Sequence, residues 1–476
     1  MCARPGDLDL RVERSRIEGA LPEALRGGRM LSNGPGWTRI GGRLAHPFDG
    51  HGYLREFAFL PDGSLRLRAR FVQTPAYQSE SRAQRITHRG LATNLGDRFW
   101  QNYKTSEGVR HVANTTVVPW RGRLLLGWEG GAPYAMDADS LETLGEETFG
   151  GALAGEATLA HMKHDAALGR LVTCGVKMGR TTTLTFREFD ADGALVHTRV
   201  ATMPAMLFAH DFVVTPNWYL LAGNPLKLKP LEFAKAMAGA STLLDAIRTD
   251  PSAPGVVHMI PRGREGAVRT VTLPGGAFVV HYGAAFERDG AVHLDACLFE
   301  RFEFGGEFGF RGPHIDLDPT LPDRREPQRL YRITIADGAA HGSWRRLAPH
   351  GIDFPRVHPA HEGRETPALF GASRADLRYS DPFDSVVRVD LTDPERPPSL
   401  WTAPTDVFVG EPLFAPSPER DDAGHVLVIL SDGVESRTTL AVFDASKLSR
   451  GPVAQVPLPL LPVAFHGAWE EAARPL

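Results

Sequence analysis

Cysteine is nearly missing: Cys2, Cys174 and Cys297 are the only three in 476 residues. An odd, widely spaced set makes neither a disulfide framework nor a thiolate zinc site, and it fits a reducing compartment. Blocks of like charge are missing too. The net charge is −4, with no basic patch or stripe, which argues against nucleic-acid binding. No run reaches the ~18 apolar residues of a membrane-spanning helix. The opening Met1-Cys2-Ala3-Arg4-Pro5-Gly6-Asp7 lacks the apolar core of a secretory signal. A cytoplasmic protein is the expectation.

Glycine (49) and proline (37) are plentiful and evenly scattered, not gathered into linkers. Between them lie short runs rich in branched and aromatic residues, among them 65–72, 123–128, 170–173, 181–186 and 425–430. Asp-Gly turns bracket these runs at Asp62-Gly63, Asp192-Gly193, Asp289-Gly290 and Asp432-Gly433. Short strands with such turns predict hairpins in an all-β protein. With no compositional break, the pattern favours one domain over residues 1–476, closed radially as a β-propeller. No exact blade repeat is present. One stretch departs from the strand rhythm: 231–247 is Ala/Leu-rich, with Glu232, Lys235, Thr242 and Asp245 largely to one side, which predicts an amphipathic helix. Leu226-Lys227-Leu228-Lys229-Pro230 just before it alternates basic with apolar residues. Such a segment suits either packing in a cap or docking on a lipid surface.

Four of the 18 histidines stand in apolar surroundings: His161, His210, His281 and His466. His210, in Leu207-Phe208-Ala209-His210-Asp211-Phe212, precedes a strand-like Phe212-Val213-Val214-Thr215. A buried imidazole needs a partner, because an unpaired buried polar group costs roughly 1–3 kcal/mol. Separations of 49, 71 and 185 residues exclude a local metal motif but suit one residue from each of several blades, converging on a central channel. Four imidazoles without thiolate or carboxylate suit iron, zinc or copper. Four unconnected core histidines are the alternative. His88, His197, His341, His350, His358 and His361 lie in polar or turn surroundings.

Short motifs along nearly the whole chain carry a resemblance. They are Asn33-Gly34-Pro35, Phe48-Asp49-Gly50-His51-Gly52, Asn114-Thr115-Thr116-Val117 and Trp128-Glu129-Gly130-Gly131-Ala132-Pro133-Tyr134, followed by Ala160-His161-Met162-Lys163 and Ala209-His210-Asp211-Phe212. His281-Tyr282-Gly283, Asp353-Phe354-Pro355-Arg356, Gly410-Glu411-Pro412-Leu413-Phe414 and Phe465-His466-Gly467-Ala468-Trp469 complete the series. In this order they resemble the carotenoid cleavage oxygenases, the family of apocarotenoid and stilbene-cleaving dioxygenases and of the retinoid isomerohydrolase. His51 stands where the family usually has an acid, at a position taken as structural.

The resemblance implies a seven-bladed β-propeller with a helical and loop cap over the iron-bearing face. It implies Fe(2+) held by His161, His210, His281 and His466, with Glu129, Asp353 and Glu411 behind the ligands. A carboxylate that accepts the far N–H of a ligand imidazole fixes its tautomer and raises its basicity. Asp353 replaces the family's usual glutamate and is one methylene shorter, so it is expected to reach its histidine through water or to hold it less tightly. Thr115 matches the residue that crowds an open iron position, which implies a gating role.

The implied reaction inserts O2 across one C=C bond of an apolar polyene to give two carbonyls. Stilbene-cleaving relatives carry a lysine before the first of the three carboxylates. Trp128 occupies that position here, which favours a carotenoid or apocarotenoid over a stilbene. Phe208, Phe278 and Phe465 are candidates for a tunnel wall or for core. The segment 226–247 agrees with a substrate drawn from a membrane surface. Three rival readings remain: a metal-free propeller serving as a binding scaffold, a propeller hydrolase with a metal held by carboxylates, and an isomerase acting on a retinoid-like ester.

Overall fold

In Leu65–Phe71 every second side chain is buried, the period-2 pattern of a strand with one face in the core. The Asp62-Gly63 turn, with Gly63 at φ 82°, folds His51–Phe59 back onto it. This hairpin unit recurs through the computed structural model. It describes residues 4–472 apart from 104–109, 205, 251–252, 264, 301–326, 378–381, 394 and 418–419.

Among the described residues, antiparallel sets of at least four strands succeed one another along the chain. Arg123–Gly127 pairs with Thr116–Trp120 and Tyr134–Asp137, and Arg170–Met178 with Lys163–Asp165 and Thr182–Phe189. Trp218–Ala222 pairs with Val213–Val214 and Val256–Pro261. The next path has seven strands, because the 14-residue Ser343–Arg356 pairs with Arg329–Ala336 by its first part and with Ala368–Ser373 by its last. Arg420–Asp432 then pairs with Arg437–Asp444, which pairs with Ala454–Leu458. Arg29–Ser32 lies between His51–Phe59 and Gly467–Glu470, so one sheet joins sequence-distant parts of the chain. Glu18–Gly19 pairs with Ala454–Leu458 in a second such closure.

Apolar side chains fill the space between successive sheets. Phe57, Leu65 and Leu67 pack with Leu427, Leu440 and Val456, and Leu220, Val257 and Met259 pack with Leu294 and Ile333. Each such side chain contributes about 1.5–3 kcal/mol by leaving water. The strands expected at 65–72, 123–128, 170–173, 181–186 and 425–430 are all present.

The helix expected over 231–247 is shorter, running Pro230–Met237. Gly239 takes φ 79°, a left-handed conformation that ends helices. Past it, Ser241 and Thr242 bond to the Asp245 carboxylate, a 3-10 turn spans Leu244–Ala246, and Ile247–Thr249 is a strand. A second short helix, Phe99–Asn102, lies alongside: Asn102 Nδ2 donates to Gly239 O at 2.7 Å. Together the two segments expose Phe99, Trp100, Tyr103, Leu231, Phe233 and Met237. No helix among the described residues is long and apolar enough to cross a membrane.

Candidate metal centre

The four histidines come from edge strands, or from the residues next to them, in separate sheets. His161 lies two residues before Lys163–Asp165, and His466 immediately precedes Gly467–Glu470. His210 sits in the bend between Leu207–Phe208 and Val213–Val214. His281 lies inside Phe278–Arg288, where a bulge interrupts pairing between Val279 and His281. Chain ends of strands and bulges aim side chains away from a regular ladder; here all four aim at one point.

One ring nitrogen from each of the four lies within 4.8 Å of the other three. The Nε2 atoms of His161 and His210 are 3.2 Å apart, as are those of His281 and His466. Three of the far nitrogens meet carboxylates. His210 Nδ1 pairs with Glu129, His281 Nδ1 with Asp353 Oδ1 at 2.6 Å, and His466 Nδ1 with Glu411 Oε1 at 2.8 Å. Ionised carboxylates only accept, so each of these Nδ1 atoms donates and a neutral ring has its lone pair on Nε2. In the His281–His466 pair, two such lone pairs face each other at 3.2 Å. That is repulsive unless a cation lies between them.

Asp353 thus reaches its histidine directly, so of the two expectations for its shorter side chain, contact through water and a less tightly held ligand, the first does not hold. It also accepts a hydrogen bond from Gln328 Nε2 at 3.1 Å. Glu411 is held from two sides: Arg356 donates to its Oε1 at 2.8 Å, and the Gly467 backbone N–H donates to its Oε2 at 2.7 Å. His161 differs from the other three. Its Nδ1 is 3.8 Å from Asp211 Oδ1, too far for a hydrogen bond. That carboxylate is taken up by Lys163 Nζ at 2.9 Å and by the Phe212 N–H.

Charge follows from this arrangement. Burial, reinforced by the neighbouring His466 and His210, pushes the His161 pKa well below its usual value. Burial takes His466 down to about 4 against the pull of Glu411. At His210 burial also disfavours the imidazolium, but Glu129 outweighs it and the pKa rises. Burial pushes the Glu411 carboxyl up, yet Arg356 and His466 prevail and hold it at about 2. His161 and His466 are thereby kept neutral, and three of the four rings have a carboxylate one layer out. These residues fit a borderline divalent metal.

Thr115 is buried, its hydroxyl donates to Asn114 Oδ1 at 3.1 Å, and its carbonyl accepts from the His466 N–H at 3.2 Å. Phe208 and Phe278, two residues before His210 and three before His281, stack at 5.6 Å between centroids. Phe465 packs edge-on to Phe48 at 6.0 Å. Trp128 lies 4.9 Å from His111, and a Cβ on Gly130 would fall 1.9 Å from its indole. His51 bonds Glu80 at 2.7 Å inside a fully buried group with Arg110, remote in role from the centre. His88 is buried among polar groups: its Nδ1 is 2.8 Å from Thr87 Oγ1, and its N–H and Thr87's both donate to Glu80.

Residues 4–471 match the model of the family described as retinal pigment epithelial membrane protein. The chain belongs to this family, that of the carotenoid cleavage oxygenases. It is 30% identical over 484 residues to the apocarotenoid-15,15'-oxygenase of Synechocystis sp., covering 98% of this chain and 95% of the relative. To the chloroplastic carotenoid cleavage dioxygenase 7 of Oryza sativa subsp. japonica it is 32% identical, over 95% of this chain and 87% of the relative. The crystal structure of cobalt-substituted Synechocystis ACO superposes with a TM-score of 0.90 at 28% identity, covering 98% of this chain and 97% of that one. As a member of this family the chain is an oxidoreductase with a four-histidine metal site.

Sequence reasoning named all four histidines and all three carboxylates that the geometry joins. It missed Gln328 and Arg356. Arg356 lies in the motif Asp353-Phe354-Pro355-Arg356, which was the available signal. Gln328 offers none, being an isolated glutamine ahead of a strand.

Proposed function

We propose that this chain cleaves one conjugated C=C bond of a carotenoid or apocarotenoid with O2, giving two carbonyl products, and that its metal is Fe(2+). The single observation that carries this is the convergence of four Nε2 atoms while three Nδ1 atoms are bonded to Glu129, Asp353 and Glu411. His161, His210, His281 and His466 would hold the iron, which when bound supplies the redox chemistry with dioxygen. The three carboxylates fix ring orientation and tautomer, and their burial with Gln328 and Arg356 keeps the rings from turning. Phe208 and Phe278 offer an apolar, flat surface to a conjugated chain beside two of the ligands. Trp128, in place of an amine, supports an apolar substrate over a phenolic stilbene. Thr115, tied by its backbone to His466, is assigned a gating role next to the metal.

The antiparallel sets described above, with β-closure between 29–32 and 467–470, support reading them as the blades of a seven-bladed β-propeller. In that reading the histidine-bearing edge strands are the innermost strands of their blades. The short helices at 99–102 and 230–237 belong to the cap. Their exposed aromatic and aliphatic side chains stand beside Lys227, Lys229 and Lys235. This supports peripheral contact with a lipid surface, from which an apolar substrate is drawn.

The test is oxygen uptake with mass spectrometry of the aldehydes formed from apocarotenals and stilbenes, with and without added ferrous ion. Iron-dependent uptake matched to two carbonyl products from a polyene is the expected result. Iron-loaded protein that consumes no oxygen with any polyene or stilbene overturns the reading, and turnover of stilbenes alone moves the substrate class.

A further inference from the structure

Phe354 has φ 51°, although it is neither glycine nor asparagine and it precedes a proline. Left-handed backbone is unusual for a bulky residue, and a residue before proline normally stays extended. An observed outlier of this kind points to function when the surroundings enforce it. The surroundings here do so. Asp353 pairs with Ala372 and Arg356 pairs with Phe370, so three steps on one strand oppose two on the other: one extra residue is inserted. Gly371 lies opposite this bulge, and a Cβ there would fall 2.7 Å from Ile352 Cγ2 and 3.1 Å from Asp353 O.

The bulge has a geometric consequence. Residues three apart on a regular strand point to opposite faces. Asp353 and Arg356 instead both serve the centre: Asp353 bonds His281 at 2.6 Å, and Arg356 bonds Glu411, which bonds His466. The Phe354 ring stands 5.3 Å from both His281 and His466 between centroids.

We propose that Phe354 is a positioning residue whose left-handed backbone advances the short Asp353 carboxylate onto His281 and turns Arg356 to the same side. The chain thereby keeps a direct carboxylate–imidazole contact with an aspartate. This rests on the reading of the four histidines as metal ligands.

The experiment is titration with Co2+, read by binding affinity and by the visible absorption of the bound ion, on full-length wild type and three variants. Phe354→Gly keeps left-handed freedom but loses the ring, whereas Phe354→Val keeps apolar volume but is β-branched and resists positive φ. Phe354→Val is expected to weaken Co2+ binding about tenfold and change the spectrum, since disturbing a ligand's outer partner costs that much affinity. Phe354→Gly is expected to stay within about threefold of wild type. A side chain that only fills space gives the reverse order, Val binding better than Gly, and that order overturns the proposal. Asp353→Glu, although it restores the family's usual residue, is expected to overreach and weaken binding about tenfold. Equal or tighter binding by Asp353→Glu overturns the proposal, and this variant decides the matter if Phe354→Val does not fold. Wild type that binds no Co2+ removes the metal reading itself, whereas a binding wild type with unaffected variants removes only the role of Phe354.

Discussion

The Nε2 atoms of His281 and His466 face each other at 3.2 Å across 185 positions of sequence. Each ring gives its other nitrogen to a different carboxylate, Asp353 and Glu411. With both Nδ1 atoms donating, the two Nε2 atoms are held at a separation that a shared cation makes favourable. The consequences of this arrangement can be measured.

Removing one outer carboxylate should loosen the metal without unfolding the protein. Glu411→Gln keeps the shape but removes the charge that pairs with Arg356 and supports His466. We expect ferrous affinity, measured by titration, to fall about 10–100-fold. Unchanged affinity would show that Glu411 has no hold on the ligand.

Away from the centre, Glu188 should contribute to acid stability. It is buried and bonded to Arg262, Tyr219 and Arg170. Burial pushes its carboxyl up, but Arg262 and the other donors outweigh this and hold it at about 2. A depressed carboxylate contributes stability that is fully present above the unfolded value, near 4.3, and is lost as pH falls toward the folded value. Denaturant unfolding should therefore show stability dropping between about pH 4.5 and 2. In Glu188→Gln that slope should flatten. At pH 7 the variant should be less stable by about 3 kcal/mol, because among the described residues Arg262 keeps only Asp165 as its ionic partner.

Gly130 supports the indole of Trp128 with no room for a side chain. Gly130→Ala should displace that ring while leaving metal content unchanged. The measurement is KM against kcat for an apocarotenal together with iron per chain. A changed KM at full iron content is expected, and loss of iron would show that the segment matters to the ligands instead.

The exposed patch around the two short helices gives a separable prediction. Trp100→Asp with Leu231→Asp should reduce sedimentation with phospholipid vesicles severalfold and leave ferrous binding intact. Equal sedimentation of variant and wild type would rule out this patch as the lipid contact.

How far the sequence reaches depends on whether a feature is local. Strand alternation in Leu65–Phe71 and the Asp-Gly turns are written in neighbouring residues, so the hairpins were legible. The four histidines were legible because apolar flanks marked each one, and motif order grouped them. Where long-range packing decides, the sequence was mute. The end of the helix at Met237 follows from Gly239 being held in left-handed backbone against the distant Phe99–Asn102 segment, where Asn102 donates to its carbonyl. The direct bond from Asp353 to His281 depends on a bulge set by Gly371 on the facing strand. Side-chain length alone pointed the other way. Gln328 acquires its role only from the fold that places it against Asp353.

X-ray absorption at the iron edge of ferrous-loaded protein tests the central claim most directly. We expect one iron per chain with four imidazole scatterers, and loss of that signature in His161→Ala, His210→Ala, His281→Ala and His466→Ala alike. A spectrum with two or fewer imidazoles, or iron retained at full occupancy after any one of these substitutions, contradicts the account.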